Sequence, residues 1–351
     1  MSTKTAKGLI ALTVVGALSL GSCSIPVKEV PDPGTQSAQS GAQSGAQSGA
    51  QSGAGEAGSV VLNEDQVERI VAEIQAVLVE SEEDKDAEIL KQRLVDPALS
   101  LREGQFVRAT KTETDLAPLE LNTSVFSATV GDSFPRVLVV ASEAAGDSPA
   151  EVFFLTQRDA RSDYMLENWA RLVGGTPVKG LSVREGSVVL EPDATGLKLS
   201  PEETLETYVN FLNSPDNEEY QLFEDNVLTP RLKQEQDALN EAIEVAGNVS
   251  MSASVGDYPM VGVALQTGSA LVSAAFSYSN TYTKTVEGST LELAGTPAAY
   301  LEDPVVQHAV TAKYLITVFF LIPPADSDDA ISVVGAERVI KSVTRDDGDD
   351  S

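Results

Sequence analysis

The chain has 351 residues, and 53 acidic against 24 basic side chains leave it a formal charge of −29. That length fits about two domains at ~150 residues each, and 42% hydrophobic residues is enough to build their cores. Such a polyanion has no electrostatic footprint for nucleic acid. One cysteine supplies neither an internal disulfide nor a cysteine-based zinc site, and one histidine excludes HExxH metalloproteases.

Residues 1–22 read as a secretory signal peptide. Lys4 and Lys7 precede an apolar run, Gly8–Leu20, whose 13 residues fall short of the roughly 20 a transmembrane helix needs. The run ends in Leu20-Gly21-Ser22-Cys23, which resembles the lipobox of bacterial lipoproteins. The resemblance implies that the Cys23 thiol carries diacylglycerol and that the chain is cleaved just before it. Two acyl chains make attachment stable. A plain secreted protein would instead carry Cys23 as a leftover reactive thiol. Residues 23–61 continue as a flexible linker with Pro26, Pro31 and Pro33, then four Gln-Ser-Gly-Ala copies from Gln39 to Ala54. Nothing in the repeat can bury enough surface to offset ordering, and a coil of this length spans about 30–35 Å.

A first α+β domain is expected over 62–198. Asn63 with Gln66 forms a capping box for an amphipathic helix over 64–81. A second helix is expected over 84–94 and a third over 98–109. Val125–Val130, Arg136–Ala141 and Glu151–Thr156 are β-rich and separated by turn signals. Asp163–Val173 returns to helical spacing through Met165, Leu166, Trp169 and Leu172, and Gly174-Gly175 ends it.

A second domain is expected over 199–344. Ser200-Pro201-Glu202-Glu203 caps a helix through Leu205, Tyr208, Val209 and Leu212. Another helix follows Pro230. Strands are expected at 249–255, 259–265, 269–278, 281–287, 307–322 and 331–343. Helices before strands, twice, indicate α+β rather than alternating βαβ units. Each half reads as helices packed on a curved antiparallel sheet, an order similar to the cystatin-like and nuclear-transport-factor-2-like cone folds. Residues 345–351 form an acidic tail, without the spacing of a calcium loop.

Candidates for chemistry are few. Asp326-Ser327-Asp328 spells the DxD that in nucleotide-sugar glycosyltransferases holds a metal and a diphosphate. Its setting, after Pro323-Pro324 and with no doubly wound sheet before it, points to a solvated turn. His308, the one imidazole, reads as a strand residue on the side of Val306 and Val310, and Trp169 as a core residue of its helix. The chain has no G-x-S-x-G or P-loop. Glycoside hydrolysis needs only two carboxylates, and 53 acids give no means of choosing a pair.

Several segments carry a resemblance to a family of uncharacterised actinobacterial lipoproteins. They are the Cys23 lipobox, the Asn63–Glu80 helix running into Glu83-Asp84-Lys85-Asp86, Trp169-Ala170-Arg171-Leu172, Ile322-Pro323-Pro324-Ala325-Asp326-Ser327-Asp328-Asp329, and Gly335-Ala336-Glu337-Arg338. The resemblance implies a protein anchored by lipid at Cys23 to the extracytoplasmic face of the cell membrane. No catalytic residue, metal ligand or cofactor comes with it. The expectation is a non-enzymatic envelope protein that binds a protein partner or a small or apolar ligand. The alternatives are a solute-binding lipoprotein of an importer and an envelope polysaccharide hydrolase.

Overall fold

The computed structural model describes residues 60–348 apart from 124, 145–149, 174–177, 215–220 and 225–227. The leader, Cys23, the Gln-Ser-Gly-Ala linker and the last residues of the acidic tail lie outside the described residues. Helix α1 (Glu64–Asp84) starts where the sequence places it. The Asn63 side chain accepts from the Gln66 amide at 2.9 Å, and Gln66 Oε1 accepts from the Asn63 amide at 2.9 Å. Short α2 (Ala87–Leu90) and longer α3 (Ala98–Thr112) follow. The expected 84–94 helix shrinks to four residues, because Lys85 turns left-handed and ends α1 before α2 begins.

Strands β1 (Val125–Ala128), β2 (Arg136–Ala141), β3 (Glu151–Gln157) and β4 (Met165–Arg171) form an antiparallel meander in chain order. Strand β4 corrects the helix expected over Asp163–Val173. All five of its central residues are buried, so it lacks the polar alternation of a half-exposed strand. The spacing of Met165, Leu166, Trp169 and Leu172 then imitates a helical stripe.

After β5 (Val188–Leu190), helix α4 (Pro201–Asn213) opens on the Ser200–Glu203 capping box, and α5 (Leu228–Ile243) follows. Then come β6 (Gly247–Val255), β7 (Val261–Ala264), β8 (Ala270–Lys284), β9 (Leu291–Glu292), α6 (Gly295–Ala298), β10 (Val305–Val306), β11 (Ala309–Ile322) and β12 (Ser332–Asp346). The second sheet runs β12-β11-β8-β7-β5, with β6 also on β8. Residues 270–273 of β8 pair with β7 and 276–284 pair with β6, so two strands share one edge. The strands expected at 269–278 and 281–287 are thus one. Asn280, which resembles a turn residue, is held in register between Ala312 of β11 and Met251 of β6. Strand β5, from the stretch read as the first domain, pairs with β7 in this second sheet.

The fold is α+β: the four-stranded and six-stranded sheets are open, antiparallel and face one another, and β9 pairs with β10 in a separate two-stranded sheet. Val137, Val139, Val152 and Phe154 of the first sheet meet Val263, Leu271 and Phe319 of the second. The outer face of the first sheet, with Leu138, Val140, Phe153 and Trp169, packs on α1 and α3. The outer face of the second, with Val272, Phe276, Ile316 and Phe320, packs on α4 and α5. Two asparagines from these helices reach the outer edge of β6. Asn213 accepts from the Ala253 amide and donates to its carbonyl, both at 2.8 Å. Asn240 does the same at Val249, at 2.7 and 3.0 Å.

Helix α3 also lies across β12, and Gly104 permits this. A Cβ there would sit 2.7 Å from Val339 Cγ2 and 2.9 Å from its Cγ1. Helix propensity favours alanine over glycine by about 1 kcal/mol, whereas forcing a methyl into a packed contact costs about 1–3 kcal/mol. Gly104→Ala is therefore expected to lower the unfolding free energy by up to about 2 kcal/mol in urea titrations. The loss should be smaller when Val339 is already alanine, a coupling that a double-mutant cycle measures.

Candidate functional site

Strands β8, β11 and β12 have 15, 14 and 15 residues, against four to seven in β1–β4. The inner face of the second sheet therefore runs beyond the cover of the first sheet and α3. Along β8 its inward residues change from Leu271, Ser273 and Ala275, which are buried, to Ser277 and Ser279, which are half-buried. A cleft of about 310 Å³ opens there. Ser252 and Ser254 of β6, Ser277 and Ser279 of β8, Lys313 of β11, and Lys341 and Ser342 of β12 line it, with Tyr258 at its rim.

The register explains this lining. Ser252 stands opposite Ser279 and Ser254 opposite Ser277, while Lys313 stands between Ser279 and Ser342. A bulge between Lys313 and Tyr314 sets Lys341 outside the regular ladder. Consecutive strand residues face opposite ways, yet Lys341 and Ser342 both reach the cleft, as a bulge allows. The lining contains no aspartate, glutamate or histidine. Tyr278 and Tyr314 contribute to the floor but belong to the core beneath α4 and α5.

On that far side of the sheet, Asn280 is fully buried between Tyr278 and Tyr282. The Asn280 side chain lies beside the Tyr278 hydroxyl and interacts with it. Arg338 Nη1 donates to Glu235 Oε2 at 2.8 Å and its guanidinium lies 5.0 Å from the Tyr314 ring centre. Burial pushes the Tyr314 hydroxyl up to about 12.

A second polar group occupies the junction of the two sheets. Arg171 of β4 lies 3.7 Å from Glu151 of β3 and 3.2 Å from Glu337 of β12. The Glu337 contact is ionic, since its Oε1 lacks hydrogen-bond geometry. Arg102 of α3 is 2% exposed and reaches Glu82, Gln105 and the Ala117 carbonyl. Burial raises the Glu151 carboxyl to about 7; Arg171 and Arg102 oppose that rise, and Glu337 and Glu120 add to it. Glu337 is raised too, by burial, against Arg171, Arg102 and Arg108. Two of the segments quoted from the sequence, 169–172 and 335–338, meet here. Leu172 bridges Gly335, and Arg171 faces Glu337.

The residues singled out in the sequence do not converge. Cys23 lies outside the described residues. Asp326 and Asp328 are exposed in a turn where the Ser327 amide donates to the Pro324 carbonyl and the Asp329 amide to Ser327 Oγ. Among the described residues, no group of three or more histidine, cysteine, aspartate or glutamate side chains is placed to hold a metal. His308 is exposed in the bend between β10 and β11, not within the strand, and its carbonyl accepts from the Lys284 amide. The strand begins only at Ala309. Trp169 is a core residue, on β4 instead of a helix, with Arg171 stacked 5.9 Å from its ring centre. Sequence reasoning missed Lys313 and Lys341, which come together only through strand register and a bulge. No helix among the described residues is long and apolar enough to cross a membrane.

Comparison with protein-family models, with curated proteins and with solved structures finds no match to the chain.

The raised Glu151 carboxyl fixes a sign for the pH dependence of stability. The folded state holds a proton that the unfolded chain has released above about 4.5, so this contribution falls as pH rises towards about 7. Glu151→Gln mimics the protonated group. It should leave the stability near that of the parent at pH 5 and raise it at pH 8 by about 1–3 kcal/mol, seen as a higher melting temperature. Thermal melts at the two pH values measure it.

Proposed function

We propose that the protein is a lipid-anchored envelope protein on the extracytoplasmic face of the cell membrane, held through Cys23. It binds a small ligand or a protein partner without transforming it. The cleft at the uncovered end of the second sheet carries this reading. Its volume, about 310 Å³, is that of a small-molecule site. Serine hydroxyls and lysine ammonium groups line it, which suit holding a ligand. Anchoring is supported by the Leu20-Gly21-Ser22-Cys23 sequence at the end of the apolar leader.

The rival readings have less support. A solute-binding lipoprotein of an importer usually has two lobes of alternating strands and helices, whereas α1–α3 precede β1–β4 and α4–α5 precede β6–β12. A polysaccharide hydrolase needs two carboxylates facing one sugar-sized cleft. Glu151 and Glu337 flank a single guanidinium at the closed sheet junction.

Two measurements test the proposal. Expressed in a bacterial host, the protein should incorporate labelled palmitate, and Cys23→Ala should abolish the label. A protein that takes up no label rejects the anchor. The full chain purified from its native host and weighed by gentle native mass spectrometry should carry a reproducible extra mass that denaturation removes. A bare mass rejects a tightly held small ligand and turns the binding reading to protein partners, which crosslinking in the membrane identifies.

A further inference from the structure

We propose that the cleft over β6, β8, β11 and β12 is a binding site for an anionic polyol, a sugar-like molecule carrying a carboxylate or phosphate. The inference deepens the ligand-binding reading and rests on it.

Charge is the first argument. The chain has 53 acidic residues against 24 basic ones, yet this lining holds two lysines and no acid. Lys313 and Lys341 lie on adjacent strands, and neither forms an ion pair or hydrogen bond with another described residue. In a field this negative, two neighbouring ammonium groups without a carboxylate partner make the cleft a local place for an anion.

Construction is the second argument. Without the bulge, Lys341 and Ser342 would point to opposite faces of β12. With it, both reach the cleft. Bulges commonly re-aim side chains next to binding sites.

Hydrogen-bonding capacity is the third, and it separates a polyol from a bare anion. The hydroxyls of Ser252, Ser254, Ser277 and Ser342 engage no other described residue, while Ser279 Oγ donates weakly to the Ser252 carbonyl at 3.4 Å. Each free hydroxyl can donate once and accept twice, which matches a ligand rich in hydroxyl groups. Tyr258 adds a partly exposed aromatic ring at the rim, the kind of surface on which the C–H face of a sugar rests.

Isothermal titration calorimetry on the full chain tests the site with three probes. Glucuronic acid carries both charge and hydroxyls, glucose the hydroxyls alone, and inorganic phosphate the charge alone. Glucuronic acid should bind at least about tenfold more tightly than glucose, and its affinity should fall in 0.5 M sodium chloride as exposed charges are screened. The double variant Lys313→Met, Lys341→Met should weaken glucuronic acid about tenfold with an unchanged melting temperature. Ser254→Ala with Ser277→Ala should weaken glucuronic acid and leave phosphate as it was. Equal binding of glucose and glucuronic acid overturns the anionic part, and phosphate binding as tightly as glucuronic acid overturns the polyol part. Absence of glucuronic acid binding, or a double lysine variant that binds like the parent, overturns the site. Each of these failures is separate from that of the ligand-binding reading, which the native mass decides: an uncharged co-purified molecule would keep that reading and reject this one.

Discussion

The line where β4 lies against β12 sets the geometry of everything else. Leu172 bridges Gly335 there, and a Cβ on residue 335 would come within 3.1 Å of the Arg171 carbonyl. Just inside this line Asn168 Nδ2 donates to Ser273 Oγ at 2.8 Å, and Thr317 Oγ1 to the Trp169 carbonyl at 3.2 Å. These bonds pin the short sheet to one end of the long one. A seven-residue strand reaches about 23 Å and a fifteen-residue strand about 50 Å, so half of the long sheet has to find another cover. Helix α3 supplies part of it, through Gly104. The cleft occupies the remainder, and its position follows from the place at which the two sheets are joined.

The same junction accounts for the buried charge. Burying an unpaired ion costs several kcal/mol, and Arg171 meets two glutamates from two sheets, Glu151 and Glu337. Arg102 is held by Glu82 and Gln105 close by. An apolar junction of the same shape would be as stable or more so. What charges add is directionality, because a guanidinium between two carboxylates tolerates little sliding of one sheet past the other.

Local chemistry was readable in the sequence, and long-range register was not. Asn63 with Gln66 and Ser200 with Glu203 announce α1 and α4, because a capping box is complete within four residues. Strand β4 was hidden because burial on both faces removes the alternation that identifies a strand. The unity of β8 was hidden because Asn280 imitates a turn. The core role of Trp169 and the exposed turn at Asp326–Asp328 agree with the sequence reading. The cleft is different. Ser254, Ser277, Lys313 and Lys341 belong to four strands, and an irregularity in pairing brings the last of them in. Single-chain periodicity carries no trace of such an irregularity.

The asparagine contacts on β6 have a consequence at the level of many molecules. A bare strand edge displays alternating amides and carbonyls that invite a strand from another chain. At Val249 and Ala253 that invitation is already answered, since each asparagine amide supplies the donor and the acceptor a neighbouring strand would bring. Along β6 the molecule thereby closes its sheet with side chains that cannot be extended into a further strand. Copies held side by side at high local concentration would then find no strand partner along this edge.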